Sequence, residues 1–451
     1  MDESIFKAYD IRGIYPDTLD ENVARDIGRA FVNYLGLSGA RVIAARDMRL
    51  SGEALEKAFI DGVTEAGADV LDLGMISTDA LYFAVGHHEE PAGAMVTASH
   101  NPKEYNGFKL CRENAIALSG EEGLYQIRDL ILSGKIPGPS EVRGSVEHGD
   151  ITQEYARHCL SFIDTRGLRP LKIVVDAGNG MAGKMLPPIF EHLPFEVVPM
   201  YFELDGSFPN HPPNPIEPEN MRELQERVLA EGADFGAAFD GDADRCFIVD
   251  EKGRTISGDL LAALVAKNVL EKEPGATIIY SAVCSKALPE LIEREGGRAI
   301  RTRAGHSIIK PQMRKHNAAF GGEHSGHFYF RDNYFADSGI IAMLTVAELV
   351  ARQEKPISEL LAPIDPYVRS GEINSEVEDQ QSVLQRVEEH YAGREGASID
   401  HLDGLTVDFG GWWFNLRPSN TEPLLRLNVE AKDREVMERE RDRLLEMIRG
   451  G

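Results

Sequence analysis

Short apolar runs, each about as long as one β-strand, alternate along this chain with segments of helical period. The runs fall at residues 41–45, 92–96, 171–175, 233–239, 277–282 and 318–321. Over 19–35, Val23, Ile27, Ala30, Phe31 and Tyr34 recur at helical spacing, and Gly36 follows as a C-cap. Leu55, Phe59, Val63 and Ala66 repeat the pattern over 52–67. Strands that alternate with helices build α/β units on mainly parallel sheets. In such sheets ligands bind beyond the carboxyl ends of the strands. A chain of 451 residues is too long for one core. The turn-rich stretch 133–140 closes a first unit nearby. The expected units are 1–145, 146–250, 251–365 and 366–451; the last has strands, turns and a charged amphipathic helix from about Asp433.

Charge and cysteine usage narrow the partners. There are 48 basic and 74 acidic residues, a net charge of -26. That disfavours nucleic acid and anionic membrane surfaces, while leaving room for small anions in a local cationic site. Cys111, Cys159, Cys246 and Cys284 lack the close spacing of a zinc site or a disulfide framework, so a cytoplasmic setting is expected. The amino terminus lacks the basic and apolar regions of a signal peptide. The most apolar stretches, 260–270 and 339–350, are short or interrupted by Lys267 or Glu348, and neither reads as a membrane span.

The densest chemistry is the DGDADR run at 240–245, directly after an apolar run. In an extended chain, Asp240, Asp242 and Asp244 would share one face. Three like charges on one face repel unless a cation sits between them. Hard divalent cations take oxygen ligands, and Mg²⁺ works beside substrate phosphates. The run therefore predicts a metal with a phosphate next to it. A calcium loop is one alternative, with Glu251 as its last ligand, but Arg245 stands where that loop must turn on glycine. The flanks also read as strands. A solvated acidic turn is the other alternative, and Arg245 and the tight apolar flanks argue against it.

Three more loops carry reactive or recognising groups. At 97–102, TASHNP offers the Ser99 hydroxyl as a phosphoryl acceptor, with His100 and Asn101 beside it and Lys109 downstream to neutralise a phosphate. A turn whose side chains satisfy their own backbone explains the same residues. At 322–327, Glu323 and Ser325 are alternate residues suited to sugar hydroxyls. His324 and His327 lack a third nitrogen or sulfur ligand for zinc. At 417–423, Arg417, Ser419, Asn420 and Thr421 make an anion nest or, alternatively, a hairpin turn. Near the amino terminus, Tyr9 and Arg12 lie together in AYDIRG, a weak signal alone.

Taken together, AYDIRG, TASHNP with NGFK up to Lys109, DGDADR, GEHSGH and RPSNTEP occur in the order and spacing of one family. The chain resembles the α-D-phosphohexomutases, and within them the phosphomannomutase/phosphoglucomutase group, over essentially its whole length. The resemblance implies a heart-shaped α/β enzyme: three similar domains with mixed sheets and a smaller α+β C-terminal domain around a central cleft. It implies that Ser99 is carried as phosphoserine. Asp240, Asp242 and Asp244 would hold Mg²⁺, with an oxygen on Ser99 as a further ligand. Glu323 and Ser325 would contact the sugar, and Arg417, Ser419, Asn420 and Thr421 the phosphate that does not react. Tyr9, Arg12, Lys109, Arg245, His306 and His327 would line the cleft, with His100 beside the reacting serine. The expected reaction interconverts hexose 6-phosphate and hexose 1-phosphate, of mannose or glucose, through a hexose 1,6-bisphosphate; His327 or Lys109 would assist proton transfer.

Three positions depart from the family pattern. Ala243 stands where many relatives have glycine, Val283 where several have lysine, and His324 where methionine or glutamine is common. Lys286 is a candidate replacement for the missing lysine. A phosphoglucosamine mutase is the rival activity, although those relatives usually carry glycine in place of Asn420. A catalytically silent sugar-phosphate-binding protein is the rival of another class, and the intact Ser99, aspartates and phosphate loop argue against it.

Overall fold

The computed structural model describes residues 1–419 and 424–450, with His306 described through its backbone alone. Asn420 and Thr421 therefore lie outside the described residues. Four sheets organise the chain. The first runs Ile11–Ile14, Tyr105–Arg112, Ala92–Val96, Arg41–Arg46, Asp69–Met75 and Val146–His148, with Ile116–Ala117 on Tyr105–Arg112. The second runs Thr255–Ile256, Cys246–Asp250, Phe235–Phe239, Lys172–Asp176 and Glu196–Met200. The third runs Arg298–Thr302, Thr277–Ser281, Phe320–Gly322 and Phe328–Phe330. The first two sheets each close a few residues past the seams expected at 145 and 250.

The first three sheets share one device. A parallel pair ends in a strand that turns back antiparallel: Ala92–Val96 into Tyr105–Arg112, Phe235–Phe239 into Cys246–Asp250, and Phe320–Gly322 into Phe328–Phe330. Each turn is one of the polar loops. The sheets are thus mixed rather than mainly parallel, and the antiparallel return is what puts each loop at the carboxyl end of a buried strand. The third of these strands begins at Phe320, later than the apolar run suggests. The fourth sheet is antiparallel throughout its pairings, with Trp412–Pro418 between Leu424–Ala431 and Leu405–Asp408.

Helix boundaries follow local chemistry. Glu21–Leu35 starts at Asp20, whose side chain accepts the Val23 N–H, and ends on Gly36 at φ 68. The last helix, Arg434–Arg449, starts at Asp433 in the same way. One continuous apolar core joins the first three units, with Tyr82, Tyr155, Phe235, Leu264 and Ile341 among its members. The fourth unit has its own core, built on Val387, Tyr391, Leu416, Leu427 and Leu444. The four cysteines are buried free thiols. Among the described residues, no helix is long and apolar enough to cross a membrane.

Candidate active site

Strand Ala92–Val96 is buried along its length and delivers Ser99 to the cleft. Ser99 has φ 51, in the left-handed region that serine seldom adopts, and it is buried. Its hydroxyl donates to Asp240 Oδ2 at 2.7 Å and lies 3.2 Å from His100 Nδ1. The Ser99 N–H donates to Thr97 Oγ1 at 2.9 Å, and the Thr97 hydroxyl donates to Asp47 Oδ2 at 2.6 Å.

The acidic run is a turn, not the extended segment that would align alternate side chains. The Ala243 N–H bonds the Asp240 carbonyl at 3.1 Å, and Ala243 sits at φ 62. The turn still gathers the carboxylates: one oxygen from each of Asp240, Asp242 and Asp244 lies within 4.8 Å of the others. All three side chains are buried. Gly241 allows the two loops to meet, because a Cβ there would stand 2.6 Å from the Ser99 carbonyl oxygen.

Cations surround the carboxylates. Lys109 Nζ donates to Asp242 Oδ2 at 2.7 Å and also to Asp244 Oδ2. Arg245 Nε donates to Asp240 Oδ2 at 2.9 Å, and the Thr78 hydroxyl to Asp242 Oδ2 at 2.6 Å. Even so, the Oδ1 atoms of Asp242 and Asp244 are buried without a hydrogen-bond partner. Burial, reinforced by the neighbouring carboxylates, pushes Asp240 up to about 7. Burial would also raise Asp242, but Lys109 outweighs it and holds that carboxyl low. An all-oxygen cluster with orphaned acceptors fits a hard divalent cation. Burial alone would lower Lys109, yet Asp242 and Asp244 raise its pKa well above the ordinary lysine value.

Above these loops opens a cavity of about 690 Å³ lined by residues from all four units. Arg12 forms its floor: Nε donates to Asp10 Oδ2 at 2.9 Å, and Nη1 reaches the Ala98 carbonyl at 3.3 Å and Asn101. Burial, then the charges of Arg245, Arg12 and Lys109, push His100 well below the ordinary histidine value, so it is neutral near pH 7. Tyr9 spans to the third unit, where a Cβ on Gly305 would stand 2.8 Å from its hydroxyl.

The third loop is held by its own network. Glu323 accepts the Gly305 N–H at 2.9 Å and the Tyr329 hydroxyl. His327 Nδ1 lies 2.8 Å from Asp337 Oδ2, and Asp337 Oδ1 lies 2.7 Å from Lys310 Nζ. Burial lowers His327, but Asp337 and Asp244 outweigh it and raise its pKa. The loops of the second and third units touch directly through an antiparallel bridge between Arg245 and His327. Ser325 lines the cavity, and His306 opens the helix His306–His316. His306's side chain lies outside the described residues.

On the fourth unit, Arg417 and Ser419 line the cavity together with Arg426. Glu372 lies between the two arginines, 3.0 Å from Arg417 Nη2 and 3.3 Å from Arg426 Nη1. Lys286 does not join the cleft: it bonds Asp408 Oδ1 at 2.6 Å, across the contact between the third and fourth units. Of the cavity's residues, Asp337, Lys310 and Arg426 carry no local sequence signal. They stand alone in ordinary helix, loop and strand patterns and meet the others only through the fold.

A buried serine against a carboxylate cluster, in a cleft lined by arginines, fits a phosphotransferase class of α/β enzyme. Four successive descriptions of one family match the chain: phosphoglucomutase/phosphomannomutase alpha/beta/alpha domain I at 3–135, domain II at 153–253, domain III at 257–367 and the C-terminal domain at 372–447. The chain is 43% identical over 447 residues to a protein named phosphohexose mutases from Xanthomonas campestris pv. campestris, covering 99% of both. It is 43% identical over 434 residues to a phosphomannomutase of Salmonella typhimurium, covering 95% of this chain and 94% of the relative. A solved phosphoglucomutase/phosphomannomutase family protein from Burkholderia thailandensis is similar with a TM-score of 0.90 at 36% identity, covering 100% of this chain and 99% of that one. The chain belongs to the phosphoglucomutase/phosphomannomutase family, as its five motifs imply.

Proposed function

We propose that this protein is a phosphohexomutase, an isomerase that interconverts hexose 6-phosphate and hexose 1-phosphate, with mannose or glucose as the sugar. The observation that carries the reading is Ser99: its hydroxyl stands 2.7 Å from Asp240, in a cluster with two buried carboxylate oxygens that accept no hydrogen bond. Asp240, Asp242 and Asp244, with an oxygen on Ser99, would hold Mg²⁺, which supplies charge neutralisation to the phosphoryl oxygens. Units 1–145, 146–250, 251–365 and 366–451 would each contribute one loop to the cleft.

The chain's own residues account for the rest. The phosphoryl group on Ser99 passes to the free hydroxyl of a hexose monophosphate: the bond from phosphorus to Ser99 Oγ breaks as the bond to the sugar oxygen forms, and the departing Oγ takes a proton from water to become the serine hydroxyl. His327, oriented by Asp337 at 2.8 Å, accepts the proton of that hydroxyl. Lys109 and Arg245 balance charge on the transferring group. The resulting hexose 1,6-bisphosphate turns over in the cleft and returns its other phosphoryl group to Ser99. Glu323 and Ser325 hold the sugar hydroxyls in both orientations. Arg417, Ser419, Asn420 and Thr421 hold the phosphate at rest, and Tyr9, Arg12 and His306 complete the walls.

The experiment is a coupled assay with Mg²⁺ and a hexose 1,6-bisphosphate activator, comparing the 1-phosphates of mannose, glucose and glucosamine. Turnover of the mannose or glucose substrate is the expected result. Turnover of the glucosamine substrate alone would replace the reading with a phosphoglucosamine mutase, and turnover of none would leave a silent binder.

A further inference from the structure

Arg49 has a fully buried side chain, yet it does not line the cleft. Its guanidinium is spent on the loop that carries Ser99. Nη2 donates to the carbonyls of Ser99 at 2.8 Å and Asn101 at 2.6 Å. Nη1 donates to the carbonyls of Pro102 at 2.8 Å and Tyr105 at 2.9 Å. Asp47 completes the frame. Its Oδ2 lies 3.3 Å from Arg49 Nε and accepts the Thr97 hydroxyl that in turn receives the Ser99 N–H. One ion pair therefore grips the backbone of Ser99 from both sides.

The grip is closed by the second unit. The Phe208 ring covers the guanidinium at 5.2 Å, and Gly206 lies so near that a Cβ there would stand 2.7 Å from Arg49 Cα. Burying a charged pair costs several kcal/mol unless hydrogen bonds fill its remaining positions. Here both Nη atoms go to the carbonyls of one short loop, and Asp47 accepts the Thr97 hydroxyl and the Arg49 N–H at 2.9 Å. That loop also carries a serine at φ 51, a conformation an unsupported chain avoids.

We infer that Arg49, backed by Asp47 and capped by Phe208, is a positioning residue for phosphoryl transfer. It fixes the backbone of Ser99 so that Oγ meets Asp240, and it turns four carbonyl oxygens toward itself and away from an incoming phosphate. The inference rests on the reading of Ser99 as the phosphoryl carrier. Misplacement of a reacting atom by an ångström costs about 100-fold in rate. Lysine cannot reproduce a fork that reaches four acceptors.

The test uses the full chain, phosphorylated on Ser99 with a hexose 1,6-bisphosphate, in single-turnover transfer to glucose 6-phosphate. In Arg49→Lys the transfer rate falls about 100-fold while KM stays within about threefold, in protein that melts above the assay temperature. In Phe208→Ala, which keeps all four hydrogen bonds, the fall is about three- to tenfold at unchanged KM. A folded Arg49→Lys enzyme with the parent's transfer rate would overturn the inference. If Arg49→Lys does not fold, Phe208→Ala decides, and a parental rate there overturns it. A parent protein that takes no phosphate onto Ser99 would instead refute the reading of Ser99 itself, before any variant is compared.

Discussion

Around Ser99, the serine and Asp240, Asp242 and Asp244 are buried, His100, Lys109 and His327 are half-buried, and all come from the three units that share a continuous core. Around Arg417, the wall belongs to a unit with a separate core. It meets the third unit through polar contacts: Lys286 with Asp408 at 2.6 Å, Arg301 with Asp400, and the Ala304 N–H with Asp403 at 3.1 Å. The two ends also differ in how their charges are balanced. At the Ser99 end three aspartates are held by Lys109 and Arg245, whereas at the other end two arginines share one carboxylate, Glu372. Packed cores transmit strain and resist displacement. Polar seams rearrange at lower cost. On the proposed reading, the construction suits an enzyme whose chemistry needs one fixed geometry while its recognition wall receives either end of a bisphosphate.

The strongest break in that comparison is Ser99→Ala. Without a carrier, mutase turnover falls by more than about 1,000-fold in the coupled assay, since the phosphoryl group has no covalent route. Removing divalent metal with a chelator comes next. Turnover falls by about 100-fold or more, and Mg²⁺ restores it. At the other end, Arg417→Ala removes a charged hydrogen bond worth about 1.5–3 kcal/mol. KM for the hexose phosphate therefore rises about 10- to 100-fold in steady-state kinetics, with kcat changed much less. Equal losses of kcat at both ends would erase the distinction.

How much of this was legible in the chain depended on where each residue's partners lie. Ser99, Asp240 and Glu323 could be read because each follows an apolar run, and a loop after a buried strand is where ligands bind. Arg49 could not, because its acceptors are backbone carbonyls, which leave no residue pattern. Asp337 was likewise hidden, since it meets His327 across a hairpin and Lys310 from a helix. The aspartates were identified for a reason that proved inexact: a tight turn through Ala243, not an extended strand, brings them together. Lys286 shows the converse, a plausible cleft cation that the fold commits to an interdomain bond.

Two smaller effects sharpen the picture of the fixed end. Ala243 holds a left-handed φ of 62, and relieving it with Ala243→Gly gains about 1 kcal/mol in the folded state. Most of that is offset by the added freedom of the unfolded chain, about 0.5–1 kcal/mol. Thermal melting should therefore shift little, and Mg²⁺ titration should show a similar affinity. His211 lies in the segment that carries Phe208, with Nε2 3.0 Å from Asp176 Oδ2. Burial pulls this imidazole down, but Asp176 outweighs it and leaves its pKa raised. A raised histidine stabilises fully below the unfolded value near 6.5, and that contribution is lost as pH climbs through the folded value. Melting curves of the parent and His211→Gln should thus differ by at most about 1 kcal/mol at pH 6 and converge as pH rises toward 9.

The central claim is that Ser99 carries the phosphoryl group that reaches the sugar. It is tested most directly by labelling the phosphate on Ser99 and mixing the enzyme with unlabelled hexose 6-phosphate in a single turnover. The account predicts that the label leaves Ser99 and appears at position 1 of a hexose 1,6-bisphosphate. Label that stays on Ser99 while the sugar is converted, or that leaves only as inorganic phosphate, would contradict it.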